Sequence, residues 1–318
     1  MRAWAPRRAA PYLVFIVSLL GYGCAQRQIA APPPGPVVDE PALMVPGDLD
    51  LVVRLDLARL RAVLGLEGAE LLAQLARQTP VDEPDLETAR FTLALFAHAE
   101  TAWIGVRPGL APELTDSVVV LRGNFKGVVP ASLGGAPAWG RPADLGGAVL
   151  RFSRTAPKLR AAPSVIYARG SDLVVIGSEA EVDPLELGFQ GKGGEGALRA
   201  PESGVVAVAA RLGLLRRRIE KRAPTLSRLF DGADRLSGSV NREGQSFRVR
   251  AEVAFDAPQR AAAVADALNA VKKALGGRGR EWLSRVGIDA LGDTLSLSLD
   301  VSETEALTAI RCWQSAGC

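Results

Sequence analysis

The side chains that could carry out chemistry in this chain are few and scattered. The sequence contains one histidine, His98, which lies among apolar and small residues in Leu95-Phe-Ala-His-Ala-Glu100. A Ser-His-Asp hydrolase needs a serine on a strained turn such as G-x-S-x-G, and that pattern does not occur in the sequence. We therefore interpret His98 as a half-buried structural residue, and we predict that the protein is not an enzyme and has no catalytic residue.

A glycine-rich stretch, Gly188-Phe-Gln-Gly-Lys192-Gly-Gly-Glu-Gly196, contains residue types that hold phosphate groups. However, Lys192 is followed by glycine, where a nucleotide-binding loop needs Ser or Thr. Pro201 then comes shortly before a predicted strand, where such a loop needs a helix. We therefore interpret 188–200 as a linker and predict no bound cofactor.

Two groups of carboxylates could supply oxygen ligands to a hard cation. They are Asp82-Glu83-Pro84-Asp85 and the four acids Glu179, Glu181, Asp183 and Glu186. Neither group has the spacing and central glycine of a calcium loop, so we predict no metal site. We interpret the first as a solvated loop and the second as the negative first turn of a helix. A hydrolase that uses paired carboxylates is the least supported alternative, because the sequence singles out no pair.

The basic residues argue against nucleic acid as a partner. Arg2, Arg7 and Arg8 account for the net charge of +3, and the rest of the chain is neutral. A basic face, with Arg216-Arg217-Arg218, Lys221 and Arg222, lies opposite apolar residues on a predicted helix. We interpret this face as solvated, with attachment to anionic lipid as the alternative.

The first 23 residues have the layout of a secretory signal. A basic stretch is followed by an apolar run from Tyr12 to Leu20 and a small-residue ending, Gly21-Tyr22-Gly23. The run is shorter than the roughly 18 to 20 residues that a permanent transmembrane helix needs. We therefore predict that 1–23 is a signal peptide.

Cys24 directly follows this ending, and the region resembles the lipobox of bacterial lipoproteins, with Leu20 and Gly21 upstream of the cysteine. The resemblance implies acylation of Cys24, removal of the signal peptide and anchoring on the periplasmic side of the envelope. Ala25 is not the aspartate that holds such proteins at the inner membrane, which favours the outer membrane. Ordinary signal cleavage after Ala25 is the alternative.

The other two cysteines, Cys312 and Cys318, enclose C-W-Q-S-A-G-C at the end of the sequence. An oxidising periplasm would join them in a disulfide, and two free thiols are the alternative. A C-x5-C pair without a nearby histidine is a poor zinc site.

The region 24–44 is rich in proline and predicts an extended tether. In the body, 247–255 and 294–301 alternate apolar and polar residues, as strands of antiparallel sheets do. Further strands are predicted at 50–56, 101–107, 117–123, 164–168, 172–177, 204–210 and 236–242. Three glycine turns, at Gly170, Gly244 and Gly292, predict hairpins. Apolar spacings of three and four predict helices over 57–75, 212–229 and 264–275.

Two segments of the body have a similar plan. Ala168-Arg-Gly-Ser-Asp-Leu-Val-Val-Ile176 parallels Ala290-Leu-Gly-Asp-Thr-Leu-Ser-Leu-Ser298, and each precedes a capping-box pattern, Ser178-Glu-Ala-Glu181 or Ser302-Glu-Thr-Glu305. We therefore predict an α+β fold made of two degenerate repeats of a mainly antiparallel sheet with helices packed on one face. The lobes are predicted at 45–187 and 201–318, joined by the linker 188–200; chance similarity of short hairpins is the alternative.

The whole plan resembles uncharacterised lipoproteins of the Gram-negative envelope: an acylated cysteine, a proline-rich tether and an α+β body. That resemblance implies a location and no reaction. Our first hypothesis is a non-enzymatic lipoprotein that binds an envelope protein partner or braces an assembly. The second is a periplasmic carrier or sensor of an apolar ligand held between sheet and helices.

Overall fold

The computed structural model describes residues 22–23, 41–64, 86–109, 115–128, 133, 139–155, 159–161, 163–192, 198–213, 230–275 and 281–306. The chain forms two compact units. Unit 1 comprises Met1–Asp48 and Leu57–Ala197, and unit 2 comprises Leu49–Asp56 and Leu198–Cys318. The sequence places 49–56 in the first lobe, whereas in the structure these residues belong to unit 2.

The strands, in chain order, are β1 (Tyr22–Gly23), β2 (Leu51–Asp56), β3 (Ala99–Arg107), β4 (Asp116–Gly123), β5 (Ala143–Asp144), β6 (Val149–Ser153), β7 (Leu159–Ala161), β8 (Val165–Arg169), β9 (Leu173–Gly177), β10 (Val206–Arg211), β11 (Ala233–Glu243), β12 (Ser246–Phe255), β13 (Gly287–Leu291) and β14 (Thr294–Ser302). The helices are α1 (Leu57–Leu64), α2 (Leu86–His98), α3 (Val182–Phe189), α4 (Pro258–Leu275) and α5 (Glu281–Ser284), with short 3-10 turns at Pro41–Met44 and Glu179–Glu181.

Unit 1 is built on an antiparallel sheet in the order β3-β4-β9-β8-β6-β5. Strands β4, β8 and β9 are rich in Val, Ile and Leu, and most of their residues are buried. Residues on both faces of these strands are therefore covered, unlike the half-solvated strands that alternation would produce. The two-residue strand β1 pairs separately with β7.

Unit 2 contains an antiparallel sheet in the order β13-β14-β12-β11-β10-β2. Helix α4 packs on one face of it, where Val253, Phe255 and Leu295 of the sheet join Ala261 and Val264 of the helix in a core. The opposite side chains of β12 and β14 are polar, since these two strands alternate as the sequence predicts. Burying the apolar side of each strand against α4 is what stabilises this arrangement.

Most of the local predictions for the described residues are confirmed. Each predicted strand is present within one to three residues at either end, and all three glycine turns connect antiparallel strands. The helix predicted at 264–275 begins earlier, at Pro258, a residue that suits a first helical turn because its ring presets the backbone. Most of the predicted helix 212–229 lies outside the described residues.

Helix α2 and strands β5 to β7 were not predicted. The fold is mainly antiparallel sheet with helices, which confirms the α+β class. Among the helices of the described ranges, none combines the length and the hydropathy needed to cross a membrane.

Candidate functional site

In the described part of unit 1, a group of charges surrounds Arg107, the last residue of β3. Its Nη1 lies 2.5 Å from Oε1 of Glu181, its Nη2 lies 2.5 Å from Oδ2 of Asp48, and Asp116 is 3.7 Å away. Three elements supply these acids. Asp48 follows the turn Pro41–Met44, Asp116 faces Arg107 across the β3–β4 ladder, and Glu181 precedes α3. One guanidinium therefore joins three separate parts of the unit.

Glu181 has no exposed surface, and its second oxygen, Oε2, is buried without a hydrogen-bond partner in the described part of the chain. Burial raises the pKa of Glu181, Asp48 and Asp116 raise it further, and Arg107 offsets part of the rise. Burial also lowers the pKa of Arg107, but the three acids outweigh it, so the pKa of the guanidinium lies above its ordinary value. The ionised form of Glu181 thus depends on Arg107.

Ser178 lies beside this group and does not cap the helical segment that follows it. Its hydroxyl instead accepts a hydrogen bond from the Ser117 amide at 3.3 Å and donates one to Oδ1 of Asp116 at 3.3 Å. The capping box predicted for Ser178 and Glu181 is therefore wrong. The reason is that Glu181 turns inward to Arg107, so neither side chain is available to the first turn of the helix.

A second buried acid, Glu186, lies within α3 itself. Its Oε1 accepts a hydrogen bond from Arg151 at 2.8 Å and another from the Tyr167 hydroxyl at 3.2 Å. The Tyr167 ring is fully buried, and its centroid lies 5.1 Å from that of Phe189. Burial and the adjacent Glu186 raise the pKa of Tyr167 well above its ordinary value.

Of the four acids Glu179, Glu181, Asp183 and Glu186, interpreted as the negative first turn of a helix, the first three do lie in the first turns of helical segments. The contacts described above add a role that this interpretation did not include. Two of the four, Glu181 and Glu186, are buried and paired with arginines of the sheet. Both pairs hold α3 against the strands, with Leu185 packed between them against Gly177. The arrangement therefore positions a helix, and neither pair includes a histidine or a thiol that could act as a nucleophile or base.

His98 is exposed, so its expected half-burial is wrong. It ends helix α2, and its contribution is through the backbone: the carbonyl oxygen accepts a hydrogen bond from the Asn124 amide at 3.1 Å. Arg61 of α1 donates a hydrogen bond to the Ala99 carbonyl at 2.8 Å, just beyond the end of α2, where a cation also complements the helix dipole. The imidazole itself has no structural role in these contacts.

In unit 2 the second predicted capping box is confirmed. The Glu305 amide donates to the Ser302 hydroxyl, and the Glu305 carboxylate accepts from the Ser302 amide at 2.9 Å. Hydrogen bonds from Arg285 and then from Ser302 lower the pKa of Glu305 to about 2. The same four-residue pattern therefore caps a helix in unit 2 and forms an interior ion pair in unit 1.

Several predicted sites lie outside the described residues. These are the acylation site Cys24, the disulfide pair Cys312 and Cys318, the acids of 82–85, the basic face of 216–222 and the glycines of 193–196. Among the described residues, no group of three or more histidines, cysteines or acids is arranged to hold a metal ion. The Arg107 and Arg151 pairs were not found from sequence because their members are 74 and 35 positions apart.

Comparisons with known proteins bear on the fold alone. No protein-family model and no curated protein matches the chain. The structure is similar to that of TP0453 in its crystal form IV, with a TM-score of 0.52, 10% sequence identity, and coverage of 86% of this chain and 96% of the other. For crystal form III of TP0453 the TM-score is 0.48 at 9% identity, over 86% of this chain and 98% of that chain. At these identities the likeness extends to the arrangement of helices and strands.

Proposed function

We propose that this protein is a non-enzymatic lipoprotein of the bacterial envelope that binds another envelope component or braces an assembly. Removal of the signal peptide 1–23 and acylation of Cys24 anchor it, facing the periplasm, with the outer membrane favoured. The support is the lipobox-like sequence at Cys24 and the proline-rich tether after it. The tether predicted over 24–44 ends earlier than expected, because residues 41–44 form the turn Pro41–Met44, in which Pro41 and Met44 are buried.

The non-enzymatic proposal rests on what the buried ionisable side chains of unit 1 contact. Buried ionisable groups with raised pKa values are the usual candidates for acid–base catalysis. In unit 1 these are Glu181 and Tyr167, and both of them, together with the buried Glu186, are engaged in contacts that hold helix α3 on the sheet. A group that fastens a helix to its sheet is unavailable to a substrate. Binding surfaces of the units, rather than these interior groups, then carry the function.

We further propose that the two units are degenerate copies of one ancestral repeat. Unit 1 contains the strand order β3-β4-β9-β8, and unit 2 contains β11-β12-β14-β13. Each is a pair of hairpins whose second strands lie side by side and antiparallel. The second hairpins turn at Gly170 and Gly292, with φ angles of 55° and 60°, and each is followed by a helical segment. Shared strand order and turn chemistry support the duplication.

Mass spectrometry of the protein extracted gently from envelopes tests the anchoring and the binding together. We expect the chain to begin at Cys24 with two or three acyl groups, to carry one disulfide between Cys312 and Cys318, and to be recovered in a defined complex. A Cys24→Ser variant should lose the acyl mass. An unacylated chain that begins after Cys24 would overturn the anchoring, and a reproducible small apolar adduct on a monomer would favour a carrier instead.

A further inference from the structure

The polar side of the unit 2 sheet, opposite helix α4, carries two charges without partners. Arg250 and Glu252 lie on this side of β12, two residues apart, and both are exposed. Within the described ranges, neither side chain takes part in an ion pair or a hydrogen bond. By contrast Arg248, on the same side of β12, contacts Asp300 and Glu243, each at 2.9 Å. The cation and the anion at the centre of this polar face are therefore both available.

Small side chains flank the two charges on the neighbouring strands. Arg250 lies between Ser239 of β11 and Ser298 of β14, and Glu252 lies between Ser237 and Ser296 of the same two strands. Serine side chains are shorter than those of Arg or Glu. The centre of the polar face is therefore nearly flat, except where the Arg250 and Glu252 side chains project from it. A flat surface of this kind allows a second sheet to approach to the ordinary spacing of about 10 Å.

The register makes this face complementary to itself. Consider a two-fold axis that lies between two such sheets, directly over Ala251, parallel to the sheets and perpendicular to the strands. It exchanges the residues on either side of Ala251. Arg250 of one copy then lies opposite Glu252 of the second copy, and the reverse pair forms at the same time. Two ion pairs arise from one symmetric contact, as expected of a closed dimer interface.

The same operation brings no like charges together elsewhere on the polar face. The strand registers show what faces the other charged residues. Arg248 falls opposite Ala254, Asp300 opposite Thr294, Asp289 opposite Gly287, and Arg235 opposite Asn241. Glu243, at the end of β11, falls opposite the irregular start of the same strand at Ala233. Ser237 falls opposite Ser239, and Ser296 opposite Ser298. Because like charges facing each other would oppose association, their absence over four strands is a specific property of this register.

We propose that a second copy of this chain binds the polar face of unit 2, forming a two-fold dimer centred on Arg250 and Glu252. The dimer deepens the proposed function by naming a partner, but it does not require the lipid. Four strands of about six residues present a plane of roughly 19 Å by 20 Å on each copy, or roughly 760 Å² for the two copies together. This area is below that of stable interfaces, so we expect a weak, transient dimer that dissociates further as the salt concentration rises.

Sedimentation velocity of the full chain in a non-ionic detergent, over a series of protein concentrations, tests this dimer. We expect the wild-type protein to dimerise reversibly. Arg250→Glu and Glu252→Arg should each weaken the dimer by about tenfold or more, because each places like charges opposite one another. The double variant Arg250→Glu/Glu252→Arg should restore the dimer, since exchanging the two charges re-forms both pairs.

Lys273→Glu is the matched control, because Lys273 is exposed on α4, on the other side of the sheet, and the charge change is the same as in Arg250→Glu. It should leave dimerisation unchanged. The proposal is overturned if the wild-type chain stays monomeric throughout the series, or if the single reversals dimerise as well as the wild type. Acylation is measured separately by mass, so either result leaves the anchoring proposal untouched.

Discussion

Glu181 is completely withdrawn from solvent, yet its Oε1 lies 2.5 Å from Nη1 of Arg107, 74 positions away along the chain. Arg107 also contacts Asp48, which belongs to the segment that leads from the tether into the body. The guanidinium thus connects the entry of the chain, the end of β3 and the start of α3. Removing one member of this buried pair should therefore lower the stability of the protein more than breaking a surface ion pair does.

Arg107→Met should destabilise unit 1 by about 3–5 kcal/mol at neutral pH, because it leaves the buried Glu181 carboxylate uncompensated. Hydrogen exchange of the amides in β3 and α3 reports the free energy of opening. Arg107→Met/Glu181→Leu should recover most of the loss, since it removes the unpaired charge. The control Arg242→Met breaks the exposed pair with Glu303 and should cost less than about 1 kcal/mol. An equal, small cost for Arg107→Met and Arg242→Met would contradict the interior role of Arg107.

Protonation of Glu181 should contribute to the way the stability of the protein changes with pH. Its pKa in the folded state is raised above 4.5, so the folded protein binds this proton more tightly than the unfolded chain. The resulting stabilisation is present below pH 4.5 and is lost as the pH rises through the folded-state pKa. The stability of the wild type relative to Glu181→Gln should therefore increase on acidification through that window, as followed by urea unfolding.

Glu305 should change the stability in the opposite direction when the pH is lowered in the same experiment. Its pKa is lowered to about 2, so its stabilisation is present above pH 4.5 and is lost as the pH falls towards 2. The stability of the wild type relative to Glu305→Gln should decrease on acidification. If both variants followed the same trend, the burial of Glu181 would not be the cause of its behaviour.

Tyr167 should remain protonated in the folded protein at alkaline pH. The sequence contains three tyrosines, Tyr12, Tyr22 and Tyr167, and the proposed removal of residues 1–23 would leave Tyr167 alone. Its raised pKa means that the stabilisation by the protonated phenol is present below about pH 10 and is lost as the pH rises through the folded-state pKa. Phenolate absorbance should therefore appear together with the loss of circular dichroism.

A Glu186→Gln variant tests the cause of the raised pKa of Tyr167. The Glu186 charge contributes to the raised pKa of Tyr167, so its removal should move phenolate formation to lower pH, ahead of unfolding. The wild-type protein provides the comparison in the same buffers. Phenolate formation near pH 10 in a wild-type protein that is still folded would show that the phenol is accessible to water, contrary to its complete burial.

Local pattern was enough to predict the sheet but not the interior charges. The alternation in β12 and β14 reflects one face covered by α4, and the turn glycines have the positive φ angles that favour glycine. Helix α2 was missed because apolar residues in Leu86–His98 are not confined to a single stripe. Glu181 does lie in the first turn of a helical segment, as predicted, but its burial and its pairing with Arg107 were missed, because only the fold brings Arg107 near.

Gly123 should not tolerate a side chain. It ends β4, where an added Cβ would overlap the carbonyl oxygen of His98 and lie 2.7 Å from Cα of Ala99. Both atoms belong to the backbone at the junction of α2 and β3, so no side-chain rotation can relieve the overlap. Gly123→Ala should therefore cost about 1–3 kcal/mol, the usual range for overpacking a well-packed interior.

Gly140→Ala is the matched control, since the nearest neighbours of its added Cβ are 3.4 Å away. Its cost should stay below that of Gly123→Ala when both are measured by hydrogen exchange of the amides in β3 and β4. In Gly123→Ala the fastest exchange should appear at Asn124, whose amide donates to the displaced His98 carbonyl. If amide protection were equal in Gly123→Ala and Gly140→Ala, the α2–β3 junction would accommodate the added methyl group without loss of stability. The close approach of the two backbones would then not explain the need for glycine at position 123.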